Sequence, residues 1–251
     1  LLLVFRTNTA YERFWEGRKA WGTLVVSIRN LAREIQTGVQ TDSPIAIANK
    51  QSSLKLLAAF AIATKLHLRR EPMQTELEPL LTPAALTTLQ QVNNAPLQIT
   101  LWLGDYLQQS CQQQQIDSNQ RFEMNVLLNG LTEGLTNCER ILTTPMPIAY
   151  SVYLKRLILI YCAFLPFSLV EHLQWLTGFI VVLISFVLLG VEEIGNEIED
   201  PFGTDPNDLP IDDICKTVLD SIETVHHFQP LAPTDRETAP AAPSPSHPFT
   251  L

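Results

Sequence analysis

The sequence predicts an all-α protein whose helices divide between a lipid bilayer and water. No stretch of the 251 residues alternates apolar and polar side chains over the length of a strand. The run 173–191 contains nineteen residues and no charge. At about 1.5 Å per residue such a helix would be about 28 Å long, close to the thickness of the hydrocarbon layer. Apolar stripes at helical spacing occupy most of the remaining chain.

The first predicted helix begins in an apolar run and continues among basic and aromatic side chains. Residues 1–5 carry no charge, and Arg6, Arg13, Arg18 and Lys19 follow them. This order is typical of a helix that leaves a bilayer on its basic, cytoplasmic side. Because the chain begins without Met inside this run, we expect either that a membrane helix is cut here or that the sequence is a fragment of a longer protein.

The segments that follow show the periodicity of amphipathic helices in water. Leu54, Leu57 and Leu66 belong to one apolar stripe, and Met124 belongs to another. Asp117 is a suitable N-cap for the helix that carries the second stripe. The predicted helices cover approximately residues 11–36, 47–69, 96–109, 118–142 and 211–225.

The uncharged run 173–191 is the second half of a predicted transmembrane hairpin. A shorter uncharged run, 157–170, precedes it and reaches spanning length when it is extended back to Met146. A buried hairpin in a soluble protein is the alternative interpretation. The membrane interpretation is favoured because a soluble helix rarely lacks a polar face over five turns.

The charges around the hairpin predict its orientation. Lys155 and Arg156 lie before the uncharged residues, whereas Glu171 and His172 separate the two runs at the tip. By the positive-inside rule, the tip faces outward and the chain from Gly195 onward returns to the cytoplasm.

The net charge of −9 conceals an uneven distribution. Residues 1–70 hold 11 Lys and Arg against 4 Asp and Glu, whereas residues 71–251 hold 6 against 22. A basic first part could indicate nucleic-acid binding. Its bases, however, alternate with apolar residues at helical spacing and adjoin the predicted membrane exit. This arrangement favours a cytoplasmic face beside the membrane over a nucleic-acid interface.

The four cysteines, Cys111, Cys138, Cys162 and Cys215, are far apart in the sequence and form no C-x-x-C pair. Neither a disulfide framework nor a zinc site is therefore expected, and a reducing cytoplasmic environment fits this pattern.

Motifs of enzyme chemistry are missing from the sequence. It contains no G-x-S-x-G, no phosphate-binding glycine loop and no H-E-x-x-H. Ser52 and Lys55 have the spacing of S-x-x-K without its companion motifs, which favours a surface helix. The acidic segment 192–208 could bind a divalent cation, but Pro201 and Pro206 interrupt it, which favours a solvated turn. We therefore expect no enzyme, no cofactor and no metal site.

Four segments, in order, resemble the bestrophin family. Residues 5–22, FRTNTAYERFWEGRKAWG, are similar to its F-R-N-x-x-x-Y-x-R-[FW]-x-E-x-R-x-x-W-G segment. The others are His67-Leu68-Arg69, the run NCERILTTPMPIAY at 137–150, and EIEDPFG at 197–203 with NDLP at 207–210. The likeness covers about residues 1–225 and is closest to the prokaryotic branch.

This resemblance implies an all-α membrane channel subunit with a cytoplasmic helical domain, assembled as a homopentamer around one pore. The implied partition is a channel domain at 1–225 followed by a Pro-rich disordered tail at 226–251. Within the channel domain, the parts are the end of a pore-lining helix (1–5), mainly cytoplasmic helices (6–145), the transmembrane hairpin (146–191) and a cytoplasmic return helix (192–225).

The resemblance also implies a narrow hydrophobic neck. In the family, apolar residues spaced four apart line it, and the last of them directly precedes F-R-N. Phe5 and Leu1 occupy the last two of these positions, and the first lies upstream. Residues i and i+4 stack on one face of a helix, so five copies would form successive apolar rings that close by dewetting.

A second constriction is implied at the cytoplasmic aperture, where the family usually has isoleucine or valine. Counting back from Pro147 places this position at Asn119, and a ring of amides there would be wetter and less discriminating. The carboxylates after Gly203 are sparser than in the calcium clasp of vertebrate members, so calcium activation is not expected.

The implied function is a channel for monovalent ions, with chloride as the expected permeant ion. The implied partners are other copies of the chain, the lipid bilayer and the permeating ions, with no nucleic acid. The implied location is a multi-pass protein of the cell (inner) membrane with a cytoplasmic C-terminus. Three alternatives remain at this stage: a cation-selective homologue, a non-conducting membrane scaffold or sensor, and a soluble helical protein that binds nucleic acid.

Overall fold

The computed structural model describes residues 2–229, and within this range the only regular structure is helical, which confirms the predicted all-α class. Leu1 and residues 230–251, which include most of the predicted tail, lie outside the described residues. The helices are α1 (Leu2–Gly38), α2 (Pro44–Arg69), α3 (Gln74–Leu77), α4 (Pro83–Gln91), α5 (Ala95–Gln112), α6 (Ser118–Thr143), α7 (Ile148–Leu173), α8 (Thr177–Glu197) and α9 (Ile211–His226). A short 3₁₀ turn, Gln174–Leu176, joins α7 to α8.

Local sequence explains where the water-exposed helices begin and end. Ser43 and Asn94 cap α2 and α5 by accepting a hydrogen bond from a backbone N–H three residues later. Asp117 forms a capping box with Gln120 at the start of α6. α2 ends where Arg70 adopts a left-handed backbone conformation with φ of 57°.

α1 is the longest helix, and four other helices pack on it: α2, α6, α8 and α9. α6 packs along it in the antiparallel direction, α9 contacts it near Arg29, α2 also contacts it, and α8 contacts its beginning. Its core-facing side chains are fully buried in the cluster that these helices form: Trp21, Leu24, Ile28, Leu31 and Ile35.

Two glycines of α6 allow the close approach of α1. A Cβ added at Gly130 would lie 2.6 Å from Oγ of Ser27. A Cβ added at Gly134 would lie 2.5 Å from Cδ2 and 2.7 Å from Cγ of Leu24. Because Leu24 is completely buried, it has no free space into which to move.

α7 and α8 pack against each other and otherwise expose apolar surface. Together they form a helical run, Ala149–Glu197, with a mean hydropathy of 2.2 in its most apolar window, of which only 6% is buried. By length and composition this run is the one in the described part of the chain that could cross a membrane. Gln174, with φ of 45°, interrupts the run and reverses its direction. Large exposed side chains include Phe164, Phe167, Phe179 and Phe186.

The predicted helix at 211–225 is present as α9, and the residues before it form the end of α8 and a loop. α8 continues to Glu197, a loop follows, and α9 begins at Ile211. The helix extends because the polar side chains of Glu192 and Asn196 have partners on α1. It stops before Pro201, which lacks the N–H needed to continue the hydrogen-bond ladder.

The glycine contact generates a stability prediction. Gly134→Ala should destabilise the protein by about 1–3 kcal/mol, because the added methyl group overpacks a site that cannot relax. The measurement is the unfolding temperature of the detergent-purified full-length protein. Gly104→Ala in α5 is the control, since its Cβ would meet only Cδ2 of Leu128, at 3.4 Å. Equal unfolding temperatures for the two variants would show that the protein accommodates a methyl group at position 134 without loss of stability.

Candidate functional site

α1 buries one of its faces and exposes two others. Successive residues of a helix are rotated by about 100°. The buried face contains Arg6, Ala10, Gly17, Leu24 and Leu31. One exposed face lies about 100° around the helix axis from the buried face, and the other lies about 200° from it in the same direction. We call them the hydrophilic stripe and the aromatic stripe.

The hydrophilic stripe begins at Phe5, whose side chain is 56% exposed. The members after Phe5 are polar or charged, are exposed, and lie within about 40° of its direction on the helix. They are Thr9, Glu12, Glu16, Lys19 and Thr23. Phe5 is thus an exposed apolar side chain at the N-terminal end of a helix face whose other members are polar or charged.

The aromatic stripe contains Val4, Tyr11 and Trp15. Tyr11 is 59% exposed and Trp15 is 51% exposed, although both lie beyond the apolar run in the charged part of α1. Exposed apolar surface of this kind marks an interaction face. α1 therefore combines a face suited to water with a neighbouring face suited to a protein or lipid partner.

The predicted site residues lie at opposite ends of α1. Leu1 is outside the described residues, and Phe5 lies in the first turns of α1. Asn119 is exposed in the first turn of α6, where its N–H donates to Asp117 Oδ1 at 2.7 Å. Gln120 and Met124 of α6 lie against Gly38 at the other end of α1. Phe5 and Gly38 are 33 residues apart, so Phe5 and Asn119 are separated by about 50 Å along the helix.

Arg6, the residue after Phe5, is buried in a polar network between α1 and α8. It is 1% exposed, and its Nη1 donates to Oε1 of Glu192 at 2.9 Å. Its Nη2 donates to Oδ1 of Asn196 and lies 3.8 Å from Oε2 of Glu199. Lys155 Nζ lies 4.0 Å from the other carboxylate oxygen of Glu192. Burial of these charges is tolerated because each has partners of opposite charge or a hydrogen bond.

Arg13 binds the ends of two other helices. Its guanidinium donates to the backbone carbonyl of Ile141 at 2.7 Å and to that of Thr144, at the C-terminus of α6. It also donates to the carbonyl of Glu199 at 3.2 Å, just beyond α8. A cation is favourable where the partial negative charge of a helix C-terminus accumulates. Arg13 thereby holds the C-terminal end of α6 in place, just before the chain turns into α7.

The P-F-G segment packs directly on the buried face of α1. Phe202 is buried, and a Cβ added at Gly17 would lie 3.2 Å from its ring and from Pro201. Arg69 Nε donates to the carbonyl of Phe202 at 3.3 Å. The loop between α8 and α9 therefore packs on α1 and is hydrogen-bonded to α2.

Two further polar contacts fasten α2 to its neighbours. His67 Nε2 and Glu139 Oε1 are 2.9 Å apart, which joins α2 to α6. Lys65 Nζ and Arg69 Nη1 each lie 2.9 Å from a different carboxylate oxygen of Asp212, which joins α2 to α9. The hydrogen bond from Lys65 lowers the pKa of the Asp212 carboxyl group. These residues hold the bundle together and do not border the hydrophilic stripe.

Sequence reasoning missed the partners of Arg6. The available signal was Glu192, a carboxylate that immediately follows nineteen uncharged residues and therefore needs a counter-charge at the membrane boundary. Among residues 2–229, no three His, Cys, Asp or Glu side chains are grouped so that they could hold a metal ion. Burial raises the pKa of Cys138 and of Cys215 to about 12, so both remain thiols at neutral pH.

Comparison with known proteins identifies relatives over nearly the whole chain. A family model described as bacterial and fungal bestrophin protein matches residues 1–224. A voltage-dependent anion channel-forming protein of Nostoc sp. is 54% identical over 230 residues, which cover 92% of this chain and 75% of the relative. The voltage-dependent anion channel-forming protein YneE of Escherichia coli is 35% identical over 218 residues, which cover 87% of this chain and 70% of the relative.

Solved structures share the arrangement of the helices. The crystal structure of a bacterial bestrophin homolog from Klebsiella pneumoniae matches with a TM-score of 0.85 at 30% identity. The match covers 91% of this chain and 84% of that one. The resemblance predicted from the four sequence segments is confirmed. The chain belongs to the bestrophin family, in its bacterial and fungal branch.

Proposed function

We propose that the chain is the subunit of a homopentameric channel that conducts monovalent ions, chloride among them, across a membrane. The relatives are named as voltage-dependent anion channel-forming proteins, which supports an anion channel. The observation that carries the proposal is the position of Phe5 on α1. It heads the hydrophilic stripe, whereas Tyr11, Trp15 and Val26, the exposed large apolar residues after it, lie toward the aromatic stripe.

In this channel the hydrophilic stripes of five α1 helices surround the axis. Phe5 then forms an apolar ring at the entrance to a polar lumen; Leu1, the other predicted neck residue, lies outside the described residues. An ion that enters such a ring loses water that no side chain replaces, so the neck conducts only when the helices separate and it becomes wet. The aromatic stripe then faces a neighbouring subunit, where its burial stabilises the assembly.

The placement in the membrane follows from α7 and α8. They cross the bilayer as a hairpin with its tip outside, together with the start of α1. The helices α2 to α6 and α9 form the cytoplasmic domain, and the tail from residue 226 also lies in the cytoplasm. The cell (inner) membrane is the proposed location.

Asn119 is the proposed second constriction, at the cytoplasmic end of the lumen. It is exposed at the N-terminus of α6, about 50 Å from Phe5 along α1. A ring of five amides can hydrogen-bond to hydrated ions of either sign. This aperture would therefore hinder ions less than the apolar neck does.

A cation-selective channel is the second candidate. Glu12 and Glu16 lie on the hydrophilic stripe and are exposed, so five copies would make the lumen below the neck negative. Negative potential in a narrow passage raises the local concentration of cations and lowers that of anions.

One experiment tests conduction and the sign of the ion together. We expect the full-length protein in planar bilayers to carry current, and its reversal potential in an asymmetric salt gradient gives the permeability ratio of chloride to sodium. A reversal potential near that of chloride supports the anion channel, and one near that of sodium supports the second candidate. Absence of current from a protein that is pentameric by mass would instead indicate a membrane scaffold or sensor.

The neck generates a second prediction. Phe5→Ala should raise the open probability severalfold, because a smaller apolar ring is wider and more easily wetted. Single-channel recording of the full-length protein measures it. Phe186→Ala is the matched control, since Phe186 is 75% exposed on α8, away from the proposed lumen. Unchanged gating in Phe5→Ala would remove Phe5 from the neck.

The aperture generates a third prediction. Asn119→Leu should raise the permeability of thiocyanate relative to chloride by roughly twofold, because an apolar ring favours ions that lose water easily. Reversal potentials under bi-ionic conditions measure the ratio. Asn119→Ser, which keeps a polar ring, serves as the control. If both variants keep the original ratio, the ions do not pass a constriction at this residue.

A further inference from the structure

Glu12 is the first charged side chain after Phe5 on the hydrophilic stripe. Its direction on the helix differs from that of Phe5 by about 20°. The two residues are seven positions apart, so about 10 Å separates them along the axis of α1. Glu12 is exposed, and within residues 2–229 its carboxylate has neither a hydrogen bond nor an ion pair.

The other charged side chains near the start of α1 are bound on the side of the helix away from the hydrophilic stripe. Arg6 is paired with Glu192, and Lys155 also approaches that carboxylate. Arg13 is bound to backbone carbonyls on the buried side of α1. Arg6 is thus paired with a carboxylate, and Arg13 lies on the buried side of α1, so Glu12 is the charge of the exposed stripe that lies nearest to Phe5.

We infer that Glu12 determines the ratio of anion to cation permeability in this protein. The inference depends on the proposed pentameric channel, in which five copies of Glu12 form a ring of carboxylates just inside the neck. This ring lies about one Debye length from Phe5 at physiological salt. It therefore enriches cations and depletes anions at the point where an ion enters or leaves the apolar rings.

The remaining charges of the stripe are farther from the neck. Glu16 lies about 16 Å and Lys19 about 21 Å from Phe5 along the helix. Beyond a Debye length, salt screens the effect of an exposed charge. The influence on permeability should therefore decrease from Glu12 to Glu16 to Lys19, and Lys19 cannot cancel the carboxylates at the neck.

The test compares neutral variants of these three residues in the full-length protein. Reversal potentials in sodium chloride gradients give the permeability ratio of chloride to sodium at low and high salt. In about 0.05 M salt, Glu12→Gln should raise the ratio on the order of threefold, Glu16→Gln should raise it less, and Lys19→Gln should leave it nearly unchanged. In about 1 M salt the effect of Glu12→Gln should fall below about 1.5-fold.

Glu12→Asp keeps the charge and should keep the wild-type ratio, which separates the charge from the shape of the side chain. Conducting Glu12→Gln channels with an unchanged ratio would overturn the inference and leave the proposed channel intact. A change that persists in 1 M salt would also overturn it, because a fixed charge would be screened. Lack of current from the wild-type protein would overturn the proposed function itself.

Discussion

The buried ion pair between Arg6 and Glu192 is the interaction on which the geometry of the site depends. A guanidinium that is 1% exposed must keep its partners, because the loss of one leaves an uncompensated buried charge. The pair therefore fixes the rotation of α1 about its own axis and docks α8 at the same point. Phe5, the preceding residue, is rotated by about 100° from Arg6 and must face away from the bundle. The orientation of the proposed neck follows from a contact that lies outside it.

In this chain, the residues of the family motifs mainly hold helices and loops together. Arg13 binds the carbonyls where α6 ends, and Gly17 makes room for Phe202. Arg69 connects the same loop to α2. All these contacts lie on the buried side of α1, which leaves its hydrophilic and aromatic stripes free. A helix supported from one side is suited to an assembly in which the other sides meet water and a neighbouring copy.

Patterns that repeat within a helix were visible in the sequence, and contacts between distant segments were not. The helical class, the water-exposed helices and the capping role of Asp117 all follow from local spacing and capping chemistry. Arg6 and Glu192 are 186 positions apart, and no periodicity links them. The predicted helix at 211–225 is present as α9, because its apolar spacing is local, whereas the continuation of α8 to Glu197 depends on the distant partner of Glu192. The close contact at Gly134 likewise depends on the location of Leu24, which is far away in the sequence.

In the proposed channel, an apolar neck and a charged lumen contribute differently to ion selection. A ring of phenylalanines distinguishes ions by the cost of losing water, and this cost depends weakly on the sign of the charge. The sign must then be read by groups outside the ring. Arg6, the cation next to Phe5, is paired with Glu192, so under this proposal the side chains that follow Phe5 along the hydrophilic stripe determine the sign of the permeant ion. If the proposed channel is correct, substitutions on this one exposed face of α1 would change ion preference without any change in the buried contacts that hold the helix in place.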